Sequence, residues 1–134
     1  MKTKTEHIER RFQRHVQLME KTLPELEDRM EHLPRLQVTA LQDRLHHVEV
    51  MEHAMRRNIH EVLEAKDMPE AERVRKLKCL ARLIESETAD LRHEADFMAM
   101  GYDNSLEAVV KGSDRLLRSA RGLLRALASL RRRP

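Results

Sequence analysis

Three histidines at seven-residue spacing are the residues of this chain that come closest to a metal-binding pattern. Carboxylates lie three or four residues from them, and the whole set is His46, His53, His60, Asp43, Glu49 and Glu64. Imidazole and carboxylate groups one helical turn apart can share Zn²⁺, Ni²⁺ or Cu²⁺. Successive histidines stand two turns, about 10.5 Å, apart, so one ion would need a ligand from another helix. We therefore expect a solvated helix face and no cofactor, with His46, Glu49 and His53 as weak metal candidates.

A row of arginines near the end of the chain is the second chemically notable pattern. Its members are Arg115, Arg118, Arg121 and Arg125, followed by Arg131–Arg133, and no acidic residue follows Asp114. Such a row can bind phosphates, anionic lipid or an acidic protein surface. The lack of interleaved aromatic residues argues against binding of single strands by base stacking. Binding to the phosphate backbone of a duplex is not affected by this argument. The plainer interpretation is an arginine-rich outer helix face.

Paired leucines accompany the arginines and are the basis of the leading functional hypothesis. They are Leu116, Leu117, Leu123 and Leu124, with Leu127 one turn further on. Doubling the apolar stripe predicts two covering surfaces for this helix, the bundle and a protein partner. Since glycine-rich phosphate loops and nucleophile elbows are missing from the sequence, we expect no enzyme. The hypotheses are, in order, an adaptor, scaffold or chaperone-like protein, a nucleic-acid-associated protein, and a metal-responsive bundle.

The element that organises the chain is an apolar stripe with alternating gaps of three and four residues. It consists of Val74, Leu77, Ala81, Ile84, Thr88, Leu91, Ala95 and Met98. This heptad pattern predicts a helix whose apolar face needs a matching face. Charged residues make up 37% of the chain and aromatic residues 2%, a composition typical of long surface-exposed helices. We predict an all-α, antiparallel, coiled-coil-like bundle in one domain, with three long helices and a shorter N-terminal helix.

Capping signals place the helices at about 4–21, 23–65, 68–100 and 105–132. The signals are the pairs Thr3/Glu6, Thr22/Glu25, Asp67/Glu70 and Asn104/Glu107, with Gly101 suited to a left-handed C-cap. Pro34 has no capping signal around it, so it is interpreted as a kink inside the second helix. A tight reversal at Leu33-Pro34 is the alternative.

The remaining features concern location and assembly. Cys79 is the single cysteine, which excludes an internal disulfide and fits a reducing compartment. The sequence contains no run of 18 apolar residues, so we predict no transmembrane segment. The charged start, Met1–Lys4, argues against a secretory signal. We expect a cytoplasmic protein that self-associates, most simply as a homodimer.

Overall fold

The computed structural model describes residues 4–33, 35–100 and 106–130, which fold almost entirely into helices. The four helices are α1 (Lys4–Glu31), α2 (Arg35–Glu64), α3 (Glu70–Ala99) and α4 (Glu107–Leu130). No β-strand occurs in these ranges, and the all-α prediction is confirmed. Within the same ranges, no helix has an apolar stretch long enough to cross a membrane.

Each helix has two neighbours, an arrangement compatible with a four-helix bundle. α1 packs against α2 and α4, and α3 packs against the same two helices. Between α2 and α3 the residue numbers run in opposite directions: Arg44 contacts Asp90, and His47, three residues later in α2, contacts Glu87, three residues earlier in α3. The same order holds between α3 and α4, where Glu85 meets Arg121 and Arg92 meets Asp114.

The apolar stripe of α3 lies in the core, as its spacing predicts. Leu77, Ala81, Ile84, Leu91 and Ala95 are buried, and its one polar member, Thr88, is fully buried with them. The hydroxyl of Thr88 donates to the carbonyl of Ile84 at 2.6 Å, so it needs no partner from another helix.

The predicted boundary between helices at residues 21–23 is wrong, because α1 continues through it. Thr22 is buried inside the helix and does not cap a new one, and Pro24 lies in the helix on its exposed side. The stripe of the first turns continues as Leu23, Leu26 and Met30, all buried. Burying three further apolar side chains outweighs the local capping signal and the single backbone hydrogen bond that proline removes.

The predicted helix over 23–65 with a kink at Pro34 is also wrong. α1 ends at Glu31 and α2 begins at Arg35, and Pro34 itself lies outside the described residues. Arg56 of α2 contacts Glu20 of α1 at 2.7 Å. These residues stand about 16 Å and about 31 Å along their helices from the break, so the chain must turn back between Glu31 and Arg35. The reversal, which was the alternative interpretation, is what this contact requires.

Arg73, and not the predicted capping pair, organises the connection between α2 and α3. α3 begins at Glu70 with Pro69 as its N-cap residue, which makes no side-chain capping bond. The guanidinium of Arg73 donates to three carbonyls at the end of α2, those of Val62, Leu63 and Ala65, at 2.9, 3.1 and 2.7 Å. The carbonyl of Ala65 also accepts from the backbone N–H of Met68 at 3.4 Å, and Arg73 supplies the side-chain cap for the end of α2.

The start of α4 is close to its predicted position, and the helix begins at Glu107. Thr3, Asn104 and Gly101, on which other capping predictions rest, lie outside the described residues. Gly112 marks a close approach of α4 to α1, because a Cβ atom there would stand 2.7 Å from Cδ2 of Leu26. A side chain at Gly112 would require the buried side chain of Leu26 to move.

Candidate anion-binding surface

The paired leucines of α4 lie inside the bundle. Leu116, Leu117, Leu123 and Leu127 are buried, and Leu124 is partly buried against the core. α4 lies between α1 and α3, and a helix with two neighbours needs two apolar faces. The doubled stripe therefore finds both of its covering surfaces within the chain, and the apolar surplus that suggested a protein partner is accounted for.

The arginines of α4, by contrast, are all on the surface, and two of them are paired. Arg118 contacts Asp114 at 3.1 Å, one turn earlier on the same helix. Arg121 reaches Glu85 of α3 at 3.3 Å. Arg115 and Arg125 are exposed and have no ion pair or hydrogen bond with any described residue. The side of α4 next to α3 is thus partly neutralised.

Three arginines of α1 extend the row of α4, and sequence reasoning missed them. Arg10, Arg11 and Arg14 are exposed, and none of them has an ion pair with the described side chains, which are those of residues 7–33, 39–100 and 106–129. Glu9, which stands among them in the sequence, lines the groove between α1 and α2 on the other side of the helix. We call the combined surface the arginine face; it consists of Arg10, Arg11, Arg14, Arg115, Arg118, Arg121 and Arg125.

The two halves of the arginine face meet at Gly122. A Cβ atom at this position would lie 3.8 Å from Nη1 of Arg11 and 3.9 Å from Nη2 of Arg125. Guanidinium groups from two helices thus converge on one point of the surface. Like charges repel when they lie this close, and neither guanidinium has an ion pair with a side chain that the structure describes.

Beneath the arginine face, α1 and α4 are joined by a buried polar contact. His15 is fully buried, and its Nδ1 shares a hydrogen bond of 2.7 Å with Oγ of Ser119. Its Nε2 has no hydrogen-bond partner. Burial lowers the pKa of His15 from 6.5 to about 4, because the charged imidazolium loses its hydration. The ring is therefore neutral at pH 7, and the positive charge of this region belongs to the arginines alone.

The weak metal candidates lie on the opposite side of the molecule, on α2. His46 and His53 are exposed, and Glu49 is half-buried between their positions. Burial is the main cause that raises the pKa of Glu49, with the nearby carboxylate of Glu27 adding to it. No group of three potential ligands that could hold a metal ion occurs among residues 4–33, 35–100 and 106–130.

Comparisons with protein-family models, curated proteins and solved structures find no match to this chain. The arginine face is therefore interpreted from its own geometry and charge.

Proposed function

We propose that this chain is a non-enzymatic protein that binds the phosphate backbone of duplex nucleic acid through its arginine face. The observation that supports this most directly is the convergence of unpaired guanidinium groups from α1 and α4 at Gly122. A planar guanidinium matches phosphate geometry and keeps its charge at every physiological pH. Neutral His15 and the leucines below the surface supply the packing that fixes both helices.

The density of charge favours a duplex over other anionic partners. Arg115 and Arg125 are ten residues apart in one helix, about 15 Å. Duplex DNA presents about nine phosphates, counted over both strands, along such a length, so several arginines of the face can reach a phosphate at the same time. Non-specific backbone binding needs no base contact and no aromatic residue.

The surroundings of the arginine face argue against a membrane and against single strands. The exposed large apolar side chains among the described residues are Val50, Leu83, Phe97 and Met100, all on α2 or at α3. None lies on α1 or α4, so the face lacks the apolar residues that insert an interfacial helix into lipid. Phe12, the aromatic residue of α1, is fully buried and cannot stack on a base.

We also propose that the helices form an antiparallel, coiled-coil-like bundle in a single domain. The opposing order of residue numbers in the α2–α3 and α3–α4 contacts supports this arrangement. So does the α1–α4 boundary, where Arg11 lies beside Gly122 and Leu26 beside Gly112.

Docking of a protein partner, or self-association, is a second candidate that now has a different surface. Phe97 and Met100 are exposed by 67% and 86% at the end of α3, away from the arginine face. An exposed pair of this size supports a protein contact. Sedimentation velocity over a range of protein concentrations distinguishes a dimer, which would favour this candidate, from a monomer, which would oppose it.

The proposed function is tested by fluorescence anisotropy with a labelled duplex at about 50 and about 200 mM salt. Arg10, Arg11, Arg14, Arg115 and Arg125 are the arginines of the face that no carboxylate occupies. Five phosphate contacts give a slope of about −4.5 in log affinity against log salt, so the affinity should fall roughly 500-fold between the two conditions. Duplexes of unrelated sequence should bind equally well.

A matched pair of variants locates the binding. Replacing Arg11, Arg14 and Arg125 by glutamine should weaken duplex binding and flatten its salt dependence. Replacing Arg57, Arg75 and Arg82, which are exposed arginines of α2 and α3, removes the same charge elsewhere and should change little. Equal losses in both variants, or no binding at 50 mM salt, would contradict the proposal. Tighter binding to anionic vesicles than to duplex would replace nucleic acid by a membrane.

A further inference from the structure

At one place on the arginine face, guanidinium groups from two helices stand close together over a glycine. Nη1 of Arg11 and Nη2 of Arg125 both lie within 4 Å of the point where Gly122 would place a Cβ atom. The two nitrogen atoms are therefore less than about 8 Å apart, a gap that two hydrogen bonds of about 2.8 Å to different oxygens of one phosphate can span. No other described side chain comes within 4 Å of that point.

Two arginines so placed on different helices can share one counter-ion. Neither guanidinium has an ion pair or a hydrogen bond with any side chain that the structure describes in residues 7–33, 39–100 and 106–129, whereas Arg118 and Arg121 on the same helix both contact carboxylates. Gly122 leaves the floor between the two guanidinium groups open, since a side chain would occupy the position of a bound oxygen. An anion with several oxygens, bound from outside, would satisfy both groups at once.

We propose that Arg11 and Arg125 form a single phosphate seat over Gly122, in which one phosphate accepts hydrogen bonds from both guanidinium groups. The seat deepens the function proposed above, on which its biological role rests, by naming the position where a backbone phosphate is held by two helices. It takes tetrahedral phosphate oxyanions as a class, whether a backbone phosphodiester or free phosphate, and the experiments below distinguish these two sources.

The first experiment titrates the protein with inorganic phosphate and follows the Nε–H resonances of the arginines by NMR. The resonances of Arg11 and Arg125 should shift together with one apparent affinity. The resonance of Arg82, an exposed arginine of α3, should stay in place, and sodium chloride of equal ionic strength should not reproduce the shifts. Separate titration curves for Arg11 and Arg125, or shifts that chloride reproduces, would overturn the seat.

The second experiment uses the glycine itself. In Gly122→Ala the new methyl group would meet the two nitrogen atoms at ordinary contact distance, so folding should be undisturbed. Alanine has the higher helix propensity, and Tm should rise. Affinity for inorganic phosphate should nevertheless fall at least several-fold. A variant with raised Tm and unchanged phosphate affinity would show that nothing binds over Gly122.

The third experiment measures duplex binding of Arg11→Gln, Arg125→Gln and the double variant. If one phosphate is shared, the effects are not additive, and the double variant loses about one phosphate contact from the salt slope. Additive effects and a loss of about two contacts mean two separate phosphates, which overturns the seat and leaves the proposed function standing. A wild-type protein that binds inorganic phosphate at these arginines but no duplex supports the seat and overturns the proposed function.

Discussion

His15 makes the stability of this bundle depend on pH in a way that one substitution should remove. The residue is fully buried between α1 and α4, and its Nε2 has no partner to accept or share a proton. Burial lowers the pKa of His15 from 6.5 to about 4 in the folded protein. The unfolded chain, in which the ring is hydrated, should titrate near the ordinary value.

The sign follows from which state binds the proton. Between pH 6.5 and pH 4 the unfolded chain protonates its His15 and the folded protein does not, so the free energy of unfolding falls as the pH is lowered through this range. Above pH 6.5 the stabilisation is complete, and below pH 4 it is lost. A difference of this size is worth about 3 kcal/mol in total, of which about 2 kcal/mol disappears between pH 7 and pH 5.

The assay is urea denaturation, followed by circular dichroism, of the wild type, His15→Leu and His60→Gln at pH 7 and pH 5. A loss of about 2 kcal/mol should lower the wild-type midpoint by roughly 1 M. Carboxylates also titrate at acid pH, so the contribution of His15 is the difference between the wild type and His15→Leu. His60 is exposed, and its variant should follow the wild type. If His15→Leu loses as much stability as the wild type, the buried neutral histidine is refuted.

Two further substitutions test the corrected helix boundaries. Pro24→Ala should raise the free energy of unfolding by about 1–3 kcal/mol, since it restores a backbone hydrogen bond within a continuous α1; urea denaturation measures this, and a neutral or negative effect would favour a break at this point. Arg73→Met should lower the free energy of unfolding by about 2–3 kcal/mol, because three carbonyls at the end of α2 lose the guanidinium that donates to them. The exposed Arg75 provides the control: Arg75→Met should stay within about 0.5 kcal/mol of the wild type.

The parts of the fold that follow from periodicity could be predicted, and those that depend on competition between local and distant contacts could not. The stripe from Leu77 to Ala95 is buried as its spacing requires. At Thr22 a capping signal and a proline both favour a helix start, but they are worth less than the burial of Leu23, Leu26 and Met30. At Asp67 the local signal is replaced by Arg73, whose partners lie eight to eleven residues away.

Only the α4 half of the candidate site could be predicted from the sequence, because the other half depends on which helices lie side by side. The arginines of α4 stand out because no acid follows Asp114. Those of α1 do not, because that helix contains more acidic than basic residues over its full length. A separate count of its first half, residues 4–18, would have shown the excess of positive charge. That α1 lies beside α4 is a tertiary fact, and only contacts such as Arg11 with Gly122 reveal it.

Ion pairing determines which arginines remain available to a ligand. Glu85 and Asp114 neutralise the side of α4 next to α3, where Asp114 also contacts Arg92 at 2.9 Å. The side next to α1 has no such ion pair among the side chains that the structure describes, although Glu25 and Asp28 of α1 line a groove there together with Arg115. A count of positive charge in α4 alone therefore overestimates the number of available arginines on the side next to α3. It also misses the arginines that α1 contributes on the other side.

Packing, and not charge, explains why two basic surfaces lie side by side. Two guanidinium groups less than about 8 Å apart at the surface repel each other by only about 0.5–1 kcal/mol in water. Each large apolar side chain buried between α1 and α4 stabilises the fold by about 1.5–3 kcal/mol. The leucines of α4 and the close contact of Gly112 with Leu26 therefore set the helix order despite the repulsion above them. The unrelieved repulsion is what a bound phosphate would remove, so the same packing that fixes the bundle prepares the arginine face for an anion.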